Sequence, residues 1–169
     1  MVNIFTYFEE ISKVPRGSGE EKAISDYLVN FAGEHNLEVI QDEVFNVIIK
    51  KPASPGYENA PGIILQGHMD MVCVKNSDKI HDFAKDPIVL KYVDDMIYAD
   101  GTSLGADNGI AVAIAMAVLT DKNAKHPPLE VLITVDEESG MTGANNLNPK
   151  HISGKILINL DSEEEGKLL

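Results

Sequence analysis

Apolar residues recur at helical spacing from the N-terminus. Ile4, Phe5, Phe8 and Ile11 share one face, which predicts a helix over residues 4–14 that Pro15 stops. A turn follows at Arg16-Gly17-Ser18-Gly19. Ser18 and Glu21 have capping-box spacing, so a second helix is expected to run to about His35, with Ile24, Tyr27, Leu28 and Phe31 as its buried stripe. Residues 37–41 and 44–50 read as strands around a tight Asp42-Glu43 connection. Residues 51–61 are a Pro/Gly/Ser loop, and a short apolar strand over 62–66 leads into Gly67-His68-Met69-Asp70. Residues 75–87 are polar and loop-like. A hairpin is expected from 88–92 and 96–99, with Val93-Asp94-Asp95 between them. A glycine-punctuated loop over 101–109 precedes a nearly all-apolar helix, 110–119, buried on most sides. Residues 129–135 and 156–160 are apolar runs, and 129–135 is too uniform for a half-exposed strand.

Strands alternating with helices favour an α/β domain, with a mostly parallel sheet covered by helices on both faces. The length, 169 residues, suits one domain with a core of its own. There is no repeat, low-complexity tract or linker.

A hydrophobic content of 44% fits a folded soluble protein. No apolar run is long enough for a bilayer, which argues against a membrane partner. Residues 1–10 carry acids and no basic segment, unlike a signal peptide. Cys73 is alone, so an intrachain disulfide is excluded and a reducing cytoplasm is the simplest location. The net charge of −13, from 27 acids against 14 Lys plus Arg, argues against a nucleic-acid partner. It is compatible with cation binding and equally with simple solubility.

The positions of the acids matter more than their number. His68 and Asp70 follow one apolar strand, Asp107 lies in the glycine loop, Asp136, Glu137 and Glu138 follow another strand, and Asp161 follows a third. In open α/β sheets ligands bind beyond the carboxyl ends of the strands, so these segments are expected to meet at one edge. His is a common zinc ligand, and a carboxylate two residues on can hold its second ring nitrogen. Asp107 suits a helix cap or Asx-turn as well as a bridge between two cations. The Asp136-Glu137-Glu138 run suits a solvated turn, or a ligand beside a general base. Asp161 is the strand-end acid, whereas Glu163, Glu164 and Glu165 read as a solvated run. A calcium loop fits poorly, because neither run has EF-hand spacing and His68 is a poor calcium ligand.

Four motifs in order carry a resemblance: Gln66-Gly67-His68-Met69-Asp70-Met71-Val72, Gly101-Thr102-Ser103-Leu104-Gly105-Ala106-Asp107-Asn108-Gly109, Glu137-Glu138-Ser139-Gly140-Met141-Thr142-Gly143-Ala144, and Asn159-Leu160-Asp161-Ser162-Glu163-Glu164-Glu165-Gly166. Together with His81-Asp82-Phe83 and Asp86-Pro87, this succession resembles the aminoacyl-histidine dipeptidase family (peptidase D, or Xaa-His dipeptidase). That family lies within a wider group of co-catalytic zinc peptidases and aminoacylases. The resemblance implies a three-layer, zinc-exopeptidase-like domain and a two-zinc site, with Co2+ or Mn2+ as alternative metals. It implies that His68 binds one zinc with Asp70 orienting its ring, that Asp107 bridges, that Glu138 binds the other zinc, and that Asp161 completes the first. Glu137 would be the general base, and the Asp107–Asn108 peptide would be cis. The implied substrate is an unhindered dipeptide such as carnosine.

Family members are far longer. The resemblance implies that residues 1–169 are the N-terminal portion of the catalytic domain, without the lid and dimerisation domain, and without the last segment that brings a final His ligand. Full-length relatives would be homodimers. His126 and His151 match no motif and read as surface residues. The chain alone is expected to bind zinc weakly, to hydrolyse dipeptides negligibly, and to self-associate through uncovered apolar surface. Two other readings stay open: a non-catalytic metal-binding or interaction module, and an aminoacylase or other exopeptidase specificity.

Overall fold

The computed structural model of the chain describes residues 3–162; the Glu163, Glu164 and Glu165 run lies outside them. Helix α1 spans Ile4–Ile11, capped by the Asn3 side chain accepting from Phe5 N, and α2 spans Lys22–Glu34. Strands β1 (Glu38–Gln41), β2 (Val47–Lys51) and β3 (Ile63–His68) follow. The hairpin is β4 (Leu90–Val93) and β5 (Met96–Ala99), and then come α3 (Ala106–Thr120), β6 (Leu129–Thr134), α4 (Thr142–Asn146), a 3-10 turn at Pro149–His151, and β7 (Ile156–Asn159).

The sheet has the order β1-β2-β6-β3-β7. β3 runs parallel to both β6 and β7, while β1 and β2 form an antiparallel margin. Helices lie on both faces, unequally. Phe8 and Ile11 of α1, Ile24, Leu28 and Phe31 of α2, and Val112 and Met116 of α3 pack against Val47, Ile49, Val131 and Ile133 of the sheet. The opposite face, Ile48, Ile64 and Leu132, is met by Leu147 and Ile152 near α4 and the 3-10 turn. All six residues of β6 are buried, as its uniform apolarity predicts for the central strand.

Several expectations need correction. Phe5 faces solvent, because α1 turns Ile4 and Tyr7 toward the core instead. The second helix begins at Lys22 rather than near Ser18, and no side chain caps it. Ser18 and Glu21 spend their oxygens elsewhere, as described below. The β1–β2 connection is not a tight two-residue turn. Asp42 Oδ1 accepts from Val44 N at 3.0 Å and Asn46 N at 2.9 Å, and Phe45 sits at φ 74°. His126 is buried, its backbone bonded to Ser54, and His151 is half-buried. Neither belongs to a metal-competent cluster among the described residues.

Candidate metal centre

The site forms where β7, β3 and β6 end. His68 is the last residue of β3, in register with Thr134 of β6. Met69 N donates to Thr134 O at 2.9 Å, and Leu160 N donates to Gln66 O at 2.8 Å. The ladder therefore continues one residue past each strand before the chain turns, which brings the Asp70, Glu137 and Asp161 segments together.

His68 is buried, with Nδ1 3.1 Å from Asp70 Oδ1. Its Nε2 faces carboxylates: Asp107 Oδ1 at 3.2 Å, Asp161 Oδ2 at 3.7 Å and Glu137 Oε2 at 3.8 Å. Asp70 is fully buried and accepts from four donors: His68, Ser18 Oγ at 2.8 Å, Glu137 N at 3.1 Å and Glu138 N at 3.2 Å. Burial alone would raise its pKa, but these bonds outweigh burial and hold it at about 2. Burial works against a charged His68, but Asp70, with Asp161 and Glu137 beyond it, raises that pKa to about 9. Burial pushes the Glu138 carboxyl up, and the nearby Asp107 adds to the shift.

Asp107 opens α3 with non-helical backbone angles, and the peptide joining it to Asn108 is cis. Asn108 was not anticipated. Its Oδ1 accepts from His68 N at 3.3 Å, and its Nδ2 donates to Asp161 Oδ1 at 3.0 Å. A Cβ at Gly67 would run into that Asn108 oxygen, so the glycine before His68 makes room for the link. Asp136 lies at φ 53° and turns the chain so that Glu137 and Glu138 both return to the site. Glu21 Oε1 accepts from Asp136 N at 3.0 Å, and Asn46 Oδ1 accepts from Val135 N at 3.1 Å. Sequence spacing suggested a helix cap for Ser18 and Glu21. Nothing in the spacing says that a strand-end N–H 115 residues away donates to the Glu21 carboxylate.

Two groups could each hold a cation, with ligand atoms within 4.8 Å of one another: His68, Asp107 and Glu138, and His68, Glu137 and Asp161. Of the residues expected to meet at the sheet edge, His68, Asp107, Glu137, Glu138 and Asp161 are thus brought together as possible ligands. The donor set fits a borderline divalent cation. One imidazole with its far nitrogen fixed by a carboxylate, surrounded by acids that repel one another, is the arrangement such an ion stabilises.

The chain belongs to peptidase family M20/M25/M40, whose family model matches residues 64–165. Among curated relatives, it is 48% identical over 166 residues to the cytosol non-specific dipeptidase of Escherichia coli K12, which covers 98% of this chain and 34% of that protein. The crystal structure of aminoacylhistidine dipeptidase from Vibrio alginolyticus superposes with a TM-score of 0.93 at 48% identity, covering 96% of this chain and 33% of that one. A tripeptidase from Staphylococcus aureus superposes at 0.81 with 26% identity, covering 97% and 45%. The chain therefore spans about a third of the length of the two dipeptidase relatives.

Proposed function

We propose that this chain carries the metal-binding part of a dipeptide hydrolase, with His68, Asp107, Glu138 and Asp161 as ligands of a pair of divalent cations. Zinc suits the mixed imidazole and carboxylate set, and Co2+ or Mn2+ can take the same ligands. The observation that carries the reading is the convergence of Asp107, Glu137 and Asp161 on His68 Nε2, with Glu138 grouped with His68 and Asp107, while Asp70 secures the other ring nitrogen. When bound, such a pair polarises the scissile carbonyl and lowers the pKa of a water.

The protein groups do the rest. Asp70 holds the Nδ1 proton of His68, so a cation that displaces the other ring proton would meet the Nε2 lone pair. Asn108 steadies Asp161 and the His68 backbone together. Glu137, with its carboxylate reaching toward Nε2 and partly open to solvent, would take a proton from the attacking water and pass it to the leaving amine. The names of the Escherichia coli and Vibrio relatives support a dipeptide substrate, including Xaa-His dipeptides, and the first supports a cytosolic location. The tripeptidase likeness favours a second specificity, for slightly longer peptides.

Among the described residues the cluster contains a single imidazole. The 169 residues alone are therefore proposed to bind zinc weakly and to turn over dipeptides slowly or not at all, and homodimer formation is proposed only for the longer relatives. The test is isothermal titration with zinc, together with a carnosine hydrolysis assay. Zinc uptake that Glu137→Gln retains and His68→Ala abolishes supports the reading. Failure of the unaltered chain to take up zinc would sink it. Partner binding without hydrolysis in any assembly would favour a non-catalytic module instead.

A further inference from the structure

The turn between α1 and α2 contributes none of the proposed ligands, yet it touches three of the loops that do. We propose that Arg16 is a positioning residue for the metal centre, locking the His68 loop to the Asp107 loop through two backbone carbonyls. This inference rests on the reading of the cluster as a cation site.

Arg16 is 2% exposed. Its Nη1 donates to Met69 O at 3.2 Å, and its Nη2 donates to Gly105 O at 2.5 Å. Met69 lies between His68 and Asp70, and Gly105 lies two residues before Asp107. Among the described residues no carboxylate lies within ion-pair distance of the guanidinium, although the Asp70 charge acts on it from farther off, and its Nε is buried without a partner. Burying a charge in this way is costly, so its retention calls for a compensating use.

The slot is built around the side chain. A Cβ at Gly105, which sits at φ 69°, would run into Arg16 Nη2, and one at Gly109 would lie 2.7 Å from the same atom. The glycines that punctuate the Asp107 loop therefore admit a guanidinium. A planar fork can span two carbonyls at a fixed separation, which a flexible ammonium cannot do equally well. The same turn sends Ser18 Oγ to Asp70 and the Glu21 carboxylate to Asp136 N, which extends the frame to the acidic loop.

The experiment is a Co2+ titration of the 169-residue chain, read by calorimetry and by the visible absorption band of the bound ion, with far-UV circular dichroism as the folding control. Arg16→Met is expected to keep the dichroism spectrum, to weaken cobalt binding by about 10- to 100-fold and to change the band. Arg16→Lys is expected to recover part of the affinity. Gly109→Ala displaces the guanidinium without removing it, and should alter the band in the same direction even if Arg16→Met does not fold. Cobalt affinity and band unchanged in folded Arg16→Met or in Gly109→Ala would overturn this inference alone, leaving Arg16 a merely structural residue. No uptake by the unaltered chain would overturn the cation reading and this inference with it.

Discussion

The Asp70 carboxylate accepts the backbone N–H of Glu137 at 3.1 Å, across 67 residues of chain. This bond, and the parallel one from Glu138 N, tie the acidic loop after β6 to the end of β3. Asp70 thus has two tasks: it orients the His68 ring and it sets the path of the loop that bears the proposed base. Asp70→Ala leaves His68 Nδ1, Ser18 Oγ and two backbone N–H groups without their acceptor. The expected loss is about 3–5 kcal/mol of unfolding free energy in denaturant titration. A loss near zero would show that water replaces the carboxylate.

Asn108 joins His68 N to the Asp161 carboxylate, and it is not itself a ligand candidate. Asn108→Asp keeps the shape and replaces the donor with an acceptor 3.0 Å from Asp161 Oδ1. The expected cost in metal-free protein is about 1–3 kcal/mol, since the Asp161 carboxylate exchanges the Asn108 donor for a like charge. A melting midpoint equal to that of the unaltered chain would remove Asn108 from the site's framework.

Much of this architecture is legible in the residues themselves. The apolar runs at 62–66 and 129–135 mark the two central strands, and the polar residues immediately after them mark the edge where ligands gather. Asp161 follows the same logic, whereas Asp107 is marked by the glycine loop that opens α3. The parts that escape are those whose partners lie far along the chain. Ser18 and Glu21 have capping-box spacing, and only the fold reveals that Asp70 and Asp136 N are their partners. Phe5 has the right period for the core face, but Tyr7 takes the inward position, its ring packed on Phe31 and its hydroxyl bonded to Thr120. His126 reads as a surface residue from sequence, since it precedes Pro127 and Pro128. Its burial comes from the 51–61 loop folding back so that Ser54 N donates to His126 O at 2.9 Å.

Glu130 is the acid inside the otherwise apolar β6. Its carboxylate accepts from Ser153 N and Gly154 N at 3.0 and 3.2 Å and from the Ser153 hydroxyl, and so fixes the segment that leads into β7. Burial would raise its pKa, but these bonds and the nearby Lys50 bring it below the ordinary value of 4.5. A lowered folded-state pKa gives stability that is present above that ordinary value and lost as pH falls through the folded value. Glu130→Gln should therefore melt below the unaltered chain at pH 7, and the gap should close at pH values below the ordinary glutamate range. A gap independent of pH would mean that charge plays no part.

β7 pairs with β3 on one side, and among the described residues no strand covers the other. Ile156, Leu157 and Ile158 are 47%, 54% and 40% exposed. Leu157 also lines a hollow of about 270 Å³ shared with Leu132, Met141 and Leu147, which reaches Glu137 and Asp161. An apolar edge of this kind recruits other chains. Light scattering is expected to show concentration-dependent association, and Leu157→Lys is expected to reduce it. A monodisperse monomer at high concentration would contradict the expectation.

His68 Nε2 stands almost equally far from Asp161, contributed beyond β7, and from Glu137, contributed beyond β6. That near-symmetry reflects the place of β3 between the other two strands. Neighbouring strands lie about 4.8 Å apart wherever a sheet forms. The sheet thus serves as a ruler for the site: its spacing is copied from the backbone ladder and owes little to the side chains packed beneath. Substitutions in the apolar layers can loosen the protein without rescaling the distance between the groups that would share a cation. Changes that shift the register of β3 against β6 or β7 are expected to rescale it.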